Sequence, residues 1–292
     1  MRKLKGFTHY FAYLALIVMG IFHLYTALFG TFEAYLQRNI HLLFALPLAF
    51  IFYPATEKSP KDRVPIYDWI LAILATLPCL YTVINYESIL YRIVQVDEVT
   101  TAQIILGTIL LVLILEATRR IVGLALAILA SVAVVYMYIG HLLPGQLKGM
   151  YVTYDRIIEH LYLTGEGIFS TPLGVSATYV MIFLIMGGFL EHSGVGEYFM
   201  DLSKALAGKA TGGPAKIAVV SSGLFGSISG SAVANVYATG TFTIPMMKQL
   251  GFSPVFAGAV EAVASSGGQI MPPIMGAGAF IMASFLGIPY SW

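Results

Sequence analysis

Six apolar stretches, each near the twenty or so residues that a helix needs to cross the hydrocarbon core of a bilayer, constrain this 292-residue chain more than any other feature. They fall near 7–29, 34–53, 67–86, 101–115, 121–143 and 172–190. Hydrocarbon offers no water to backbone N–H and C=O groups, so a spanning segment is either a helix or a strand of a closed barrel. These runs lack the period-two alternation of barrel strands, which leaves helices. Composition agrees: 58% of residues are hydrophobic and 11% charged, where soluble proteins carry about 25% charged residues. The fold class predicted is an all-α integral membrane protein, a multi-helix bundle in the lipid bilayer.

Several function classes drop out at once. A net charge of +1 supplies no field for nucleic acid. The single cysteine, Cys79, forms no internal disulfide and suits a packing role in an apolar helix. MRKLK leads into an apolar stretch too long for a signal core, with no small-residue cleavage site after it, so the first segment is expected to stay.

Orientation follows from lysine and arginine, which are retained on the cytoplasmic side. With the N-terminus inside, the cytoplasmic loops collect Arg2, Lys3, Lys5, Lys58, Lys61, Arg63, Arg119, Arg120, Lys204, Lys209, Lys216 and Lys248. The outer loops keep only Arg38, Arg92, Lys148 and Arg156. Lys216 and Lys248 both lie inside only if the chain between them enters from the cytoplasm and returns there.

Two interruptions make that excursion possible: FGSISGSAVANVYATG at 225–240 and SSGGQIMPP at 265–273. The apolar pieces 214–225 and 232–246 are each about a dozen residues, which at 1.5 Å per residue reach roughly half of a ~30 Å core. Joined by GSISGS, they predict a re-entrant helical hairpin over 214–247. Beyond it, 254–264 begins a helix that SSGGQIMPP cannot continue, because Pro272 and Pro273 lack amide donors and Gly267 and Gly268 loosen the turn. The pattern resumes at 274–286, which predicts a broken transmembrane helix over 254–286. Around these elements, YDRIIEHLYL suits a short interfacial helix and VGEYFMDLSKALA at 195–207 a surface-lying amphipathic helix or a bundle strut.

Non-helical backbone at bilayer depth is tolerated where protein or a watery cavity satisfies it. In secondary transporters such unwound carbonyls coordinate sodium. Ser227, Ser229 and Ser231, alternating with glycines that include Gly230, read either as small residues for close helix packing or as oxygen donors of an ion site facing the second break. Glu261 is an intramembrane carboxylate, a functional candidate by default, and equally a brace for the neighbouring hairpin. Asn235, one turn past the tip, suits bracing or a bond across to the break, and Gln269 lies inside the break itself. His23 and His41 read as helix-to-helix hydrogen bonders. Enzyme chemistry is not expected. A serine nucleophile needs a base within reach, yet all six histidines precede Ser227, where intramembrane serine proteases of the rhomboid pattern place one on a later helix. No histidine, cysteine or carboxylate pair has metal-ligand spacing, and no cofactor is expected.

GLFGSISGSAVANVYATGTFTIPMMKQLGF followed by AVEAVASSGGQIMPPIMGAGAFIMASFLGIPY resembles the large membrane subunit of tripartite ATP-independent periplasmic (TRAP) transporters. EATRRIVGLALAILA at 116–130 and LLPG at 142–145 resemble the fused permease in which the small four-helix subunit precedes the large one, served by TAXI-type binding proteins. The resemblance implies a sodium-driven secondary transporter in the cytoplasmic membrane of a bacterium or archaeon, importing a small organic acid that a periplasmic binding protein delivers. It implies an elevator fold in which 1–143 is a small-subunit-like scaffold, 144–171 an extracytoplasmic connector and 172–292 the first inverted-repeat half of the large subunit. It also implies a sodium site built by Ser229, Ser231, Gly268, Met271 and Pro272; Ser227, Gly230, Asn235, Glu261 and Gln269 are the further candidates for substrate contacts or supports. The family has a second hairpin and broken helix, and the sequence stops at Trp292 after the first. The resemblance therefore implies a missing second half of the permease as a partner. A transport-inactive scaffold or assembly protein that retains the fold is the competing expectation.

Overall fold

The structure, a computed structural model, describes residues 1–290, with the side chain of Glu191 outside the described set. The described residues form helices and turns and contain no strand. Six helices are long and apolar enough to cross a membrane, by length and composition: Phe7–Phe29, Ala34–Phe52, Ile66–Ile84, Thr101–Ile121, Leu124–Leu142 and Thr171–Leu190. Their outward side chains are apolar. Ile17, Ile73, Leu129 and Val132 are all more than half exposed, an arrangement that lipid favours and water does not. The chain is an all-α integral membrane protein. It divides into two compact units, Met1–Ala177 and Thr178–Trp292.

In the first unit, α1 (Phe7–Phe29), α2 (Ala34–Phe52), α3 (Ile66–Ile84), α4 (Tyr86–Leu90), α5 (Thr101–Ile121), α6 (Leu124–Ile139), α7 (Tyr154–Tyr162) and α8 (Thr171–Val175) are tied by buried polar side chains. His23 and His41 meet across α1 and α2 at 3.0 Å, as their positions predicted. Thr82 donates to Asn39 at 2.6 Å, linking α2 and α3. The Tyr162 hydroxyl donates to the carbonyl of Pro78 at 2.7 Å. At one end, Asp68 is fully buried between two arginines, pairing with Arg2 and, at 2.6 Å, with Arg120. Arg120 also pairs with Glu116 at 2.7 Å.

That last pair corrects one boundary. Sequence hydropathy ends the fourth span at 115, at the first charge, whereas α5 continues to Ile121. Glu116 is three and four residues from Arg119 and Arg120 and pairs with both, so the charges offset one another on one helix face. Gly123, at φ 123°, ends the run instead.

The connector helix α7 is held by a second charged cluster. Glu159 receives Arg92 at 2.9 Å and Arg156 at 2.8 Å, and its side chain is buried. Burial pushes the Glu159 carboxyl up, but hydrogen bonds from Arg156, Arg92 and the Gln95 amide outweigh it and hold the group below its ordinary value.

In the second unit, α9 (Met181–His192) and α10 (Val195–Ala207) precede α11 (Gly213–Ser229), α12 (Ala232–Gln249), α13 (Pro254–Gly267) and α14 (Ala277–Leu286). A five-residue π segment, Ser176–Val180, leads into α9. The core holds two buried clusters, Met200 with Ala207 and Ile217, and Met247 with Ala218 and Ala257. α10 reaches α11 closely because Gly196 has no side chain; a Cβ there would lie 2.8 Å from the Phe225 ring.

The hairpin arms differ from the sequence expectation. α11 has 17 residues and α12 has 18, each about 25 Å long at 1.5 Å per residue, well beyond half of the core. Gly226, Ser227 and Ser229 belong to the last turn of α11. Their low helix propensity, at most about 1 kcal/mol per glycine, is overridden by packing, as the contacts below make plain.

Candidate functional site

Two residues make the whole connection between the hairpin arms. Gly230, at φ 59°, ends α11 in the left-handed conformation that glycine adopts freely, and its amide donates to the Gly226 carbonyl at 3.0 Å. Ser231 follows as the N-cap of α12, its hydroxyl accepting from the Ala234 amide at 3.3 Å. The Ser231 amide in turn donates to the Ser229 hydroxyl at 3.4 Å.

The second interruption has its own internal closure. After α13 comes a short 3-10 turn, Gly268–Ile270, and then a non-helical passage to Gly276. The Gly276 amide donates to the Gln269 carbonyl at 2.7 Å. Met275 sits at φ 58°, a conformation uncommon for a residue with a side chain. Tyr290 donates its hydroxyl to the carbonyls of Pro273 at 2.9 Å and Ile274 at 2.5 Å. The second half of the broken helix therefore starts at Ala277 rather than at 274, because proline lacks a donor at 272 and 273 and Met275 is not helical.

Tip and break are in contact. The Ile274 amide donates to the Ser227 carbonyl at 3.2 Å. A Cβ on Gly226 would run into the backbone of Gly268, and a Cβ on Gly230 into the carbonyl oxygen of Met275. A Cβ on Gly268 would lie 2.6 Å from Asn235 Nδ2 and 2.9 Å from the Ser222 carbonyl. Backbone thus meets backbone at three glycines.

Of the residues singled out from the sequence, Ser227, Ser229, Gly230 and Ser231 gather at the tip, and Gly268, Met271, Pro272 and Gln269 lie along the break. The side chains of Met271, Pro272 and Gln269 are exposed, so their backbone atoms are the ones the break offers. Ser229 and Ser231 also line a cavity of about 290 Å³ whose other walls include Phe183, Phe199, Phe225 and Ile228. Asn235 is fully buried and donates to the Ser222 carbonyl at 2.7 Å, bracing one arm against the other.

Glu261 is 1% exposed and braces the hairpin. Its Oε1 accepts from Thr239 at 2.5 Å, Ser265 at 3.0 Å and Ser222 at 3.2 Å, and its Oε2 accepts from Thr243. Sequence reasoning left Glu261 open between two roles and missed all four hydroxyls. The available signal was spacing: Thr239 and Thr243, and Glu261 and Ser265, are each four apart on a helix face. Among the described residues no group of three or more histidine, cysteine or acidic side chains could hold a metal ion.

A family model described as "Tripartite ATP-independent periplasmic transporter, DctM component" matches residues 109–291. "Uncharacterized protein YgiK" of Salmonella typhimurium is 31% identical over 100 residues, 34% of this chain and 23% of that protein. "C4-dicarboxylate TRAP transporter large permease protein DctM" of Rhodobacter capsulatus is 32% identical over 94 residues, 32% of this chain and 21% of its own length. "Sialic acid TRAP transporter large permease protein SiaM" of Vibrio cholerae is 30% identical over 94 residues, 32% of this chain and 22% of its own. The chain thus aligns with less than a quarter of the length of each of these relatives. No solved structure gives a significant match.

Proposed function

The chain belongs to the family of the DctM component of tripartite ATP-independent periplasmic transporters, and from that premise we propose that it is membrane permease sequence of a sodium-coupled secondary transporter. The cargo is a small organic acid handed over by a periplasmic binding protein of the TAXI type. Two relatives carry acids in their names, C4-dicarboxylate and sialic acid, which favours an anionic cargo here. The membrane is the cytoplasmic one, with the N-terminus inside. Residues 1–143 serve as scaffold and 172–292 carry the ion-binding hairpin and broken helix.

One observation carries this reading: two separate interruptions of helical backbone lie against each other, joined by the Ile274–Ser227 hydrogen bond. Sodium favours hard oxygen ligands. The hydroxyls of Ser229 and Ser231 and the carbonyls of Gly268 and Met271 are such oxygens, and the Pro272 region closes the shell. Each hydroxyl accepts a single amide bond and keeps a lone pair for an ion. The Gly268 carbonyl likewise accepts one bond, from the Met271 amide at 3.2 Å.

The test is uptake by the intact permease in proteoliposomes with its binding protein, using a panel of labelled dicarboxylates and sugar acids. Uptake that requires an inward sodium gradient and the binding protein is expected. Uptake that persists when potassium replaces sodium would remove the coupling ion, and a correctly inserted permease that moves no acid would favour the scaffold function.

A further inference from the structure

The hydroxyl-ringed carboxylate of Glu261 has no part in the ion shell, yet it touches both hairpin arms and its own broken helix. Ser222 comes from α11, Thr239 and Thr243 from α12, and Ser265 from α13. All four partners are hydroxyls, and Glu261 forms no ion pair among the described residues. A carboxylate is costly to bury without a cation and is offset here by donated hydrogen bonds alone. An apolar side chain would fill the space without that cost. What the polar cluster adds is register: only one axial alignment of three helices brings every donor to the carboxylate. Sliding α13 along α12 by a single 1.5 Å residue rise takes Thr239 and Thr243 away from Glu261 together. Gly240 allows the approach, since a Cβ there would lie 3.1 Å from the Glu261 Cγ.

The cluster is also connected to the break. Thr239 approaches Asn235 Oδ1 at 3.4 Å, Asn235 Nδ2 donates to the Ser222 carbonyl at 2.7 Å, and that amide nitrogen is the atom nearest to where a Gly268 Cβ would be. Glu261 lies seven residues before Gly268 on the same rod, about 10 Å along a helix. Hydrogen bonds therefore run from the carboxylate through Ser222 to Asn235, whose side chain lies beside Gly268.

We propose that Glu261 is a positioning residue: through Thr239, Thr243, Asn235 and Ser222 it fixes the axial register of the broken helix against the hairpin and so sets the distance between tip and break. The effect on ion affinity rests on the sodium reading above; the effect on register does not. Glutamine with its carbonyl oxygen at the Oε1 position keeps the acceptor for Ser222, Thr239 and Ser265 and leaves the Thr243 hydroxyl to rotate and accept from the amide, whereas alanine deletes the hub.

Two readouts on the intact permease separate these claims. The first is the sodium concentration for half-maximal thermal stabilisation, at constant ionic strength with potassium. The second is cross-linking of Ser227→Cys to Ile274→Cys by a short bifunctional thiol reagent, in a Cys79→Ala background. Glu261→Ala is expected to raise the sodium midpoint by about tenfold, within the usual range of coupling between separate sites, and to lower the cross-linking rate severalfold. Glu261→Gln should restore both to near the parent. If Glu261→Ala fails to insert, Thr243→Val and Thr239→Val, which each remove one donor, should shift both readouts in the same direction by less. Unchanged cross-linking in Glu261→Ala, or in both threonine variants where it cannot be made, overturns the proposal. If the parent shows no sodium response while cross-linking still falls with Glu261→Ala and recovers with Glu261→Gln, the ion site is lost and the register role stands.

Discussion

The amide of Ile274 donates to the carbonyl of Ser227 at 3.2 Å, so a residue of the broken helix completes the hydrogen bonding of the hairpin's last turn. Each interruption closes most of its backbone bonds within itself, through Gly276–Gln269 at the break and Gly230–Gly226 at the tip, and this one bond joins the two, in keeping with the need of non-helical backbone for partners away from water.

The glycines at this contact are intolerant of side chains. Gly226→Val would drive a branched side chain into the Gly268 backbone, and Gly230→Ala would meet the Met275 carbonyl from a left-handed backbone position. Overpacking of this kind costs about 1–3 kcal/mol. Thermal unfolding of the purified permease should show Gly226→Val as the more damaging, with Gly258→Ala, where a Cβ meets nothing within 4 Å, close to wild type.

Ser229→Ala and Ser231→Ala test the ion shell. Loss of a contact to a charged partner costs roughly 1.5–3 kcal/mol, about a tenfold to hundredfold weakening. Isothermal titration with sodium should report that loss in each. Ser231→Ala also deletes the cap of α12, worth about 1 kcal/mol, so its melting temperature should fall where that of Ser229→Ala holds. Unaltered sodium binding in both would remove the hydroxyls from the shell.

Asp68→Asn should be the most destabilising single change in the first unit. It leaves Arg2 and Arg120, both nearly inaccessible, without their shared carboxylate, a change that costs about 3–5 kcal/mol for a buried pair. Arg2 retains the Phe50 and Ile51 carbonyls at 2.8 and 3.0 Å. The measurement is the melting temperature in detergent, and a fall no larger than that of an exposed pair such as Asp201–Lys204 would refute the role.

The clamp on α7 predicts a pH dependence. The carboxyl of Glu159 is held below its ordinary value in the folded protein, so it binds protons less readily there than in the unfolded chain. Its contribution is present above the unfolded value, near pH 4.3, and is lost as pH falls through the folded value. The melting temperature of wild type should therefore fall more steeply below about pH 4.3 than that of Glu159→Gln.

The spans were legible because lipid demands long apolar runs, and His23 and His41 because polar side chains inside such runs seek each other. The arms of the hairpin were read too short because Gly226, Ser227 and Ser229 look like breakers until Gly268 is seen against them. The Glu261 cluster is a three-helix object: Ser222 and Thr239, 17 positions apart, meet at 3.1 Å, and no local pattern announces it. Asp68 was invisible for the same reason, lying 66 positions from Arg2.

Side chains that interdigitate act as teeth, and two helices meshed in that way shift only by unpacking. The contact of Gly226 with Gly268 has none. Smooth backbone bears on smooth backbone there, so the two glycines by themselves contribute little to the axial alignment. With the proposed register role placed in a hydroxyl-ringed carboxylate some 10 Å away along the helix, bearing and detent are separate parts, and the tip can be tuned by what binds there without rebuilding the glycine contact.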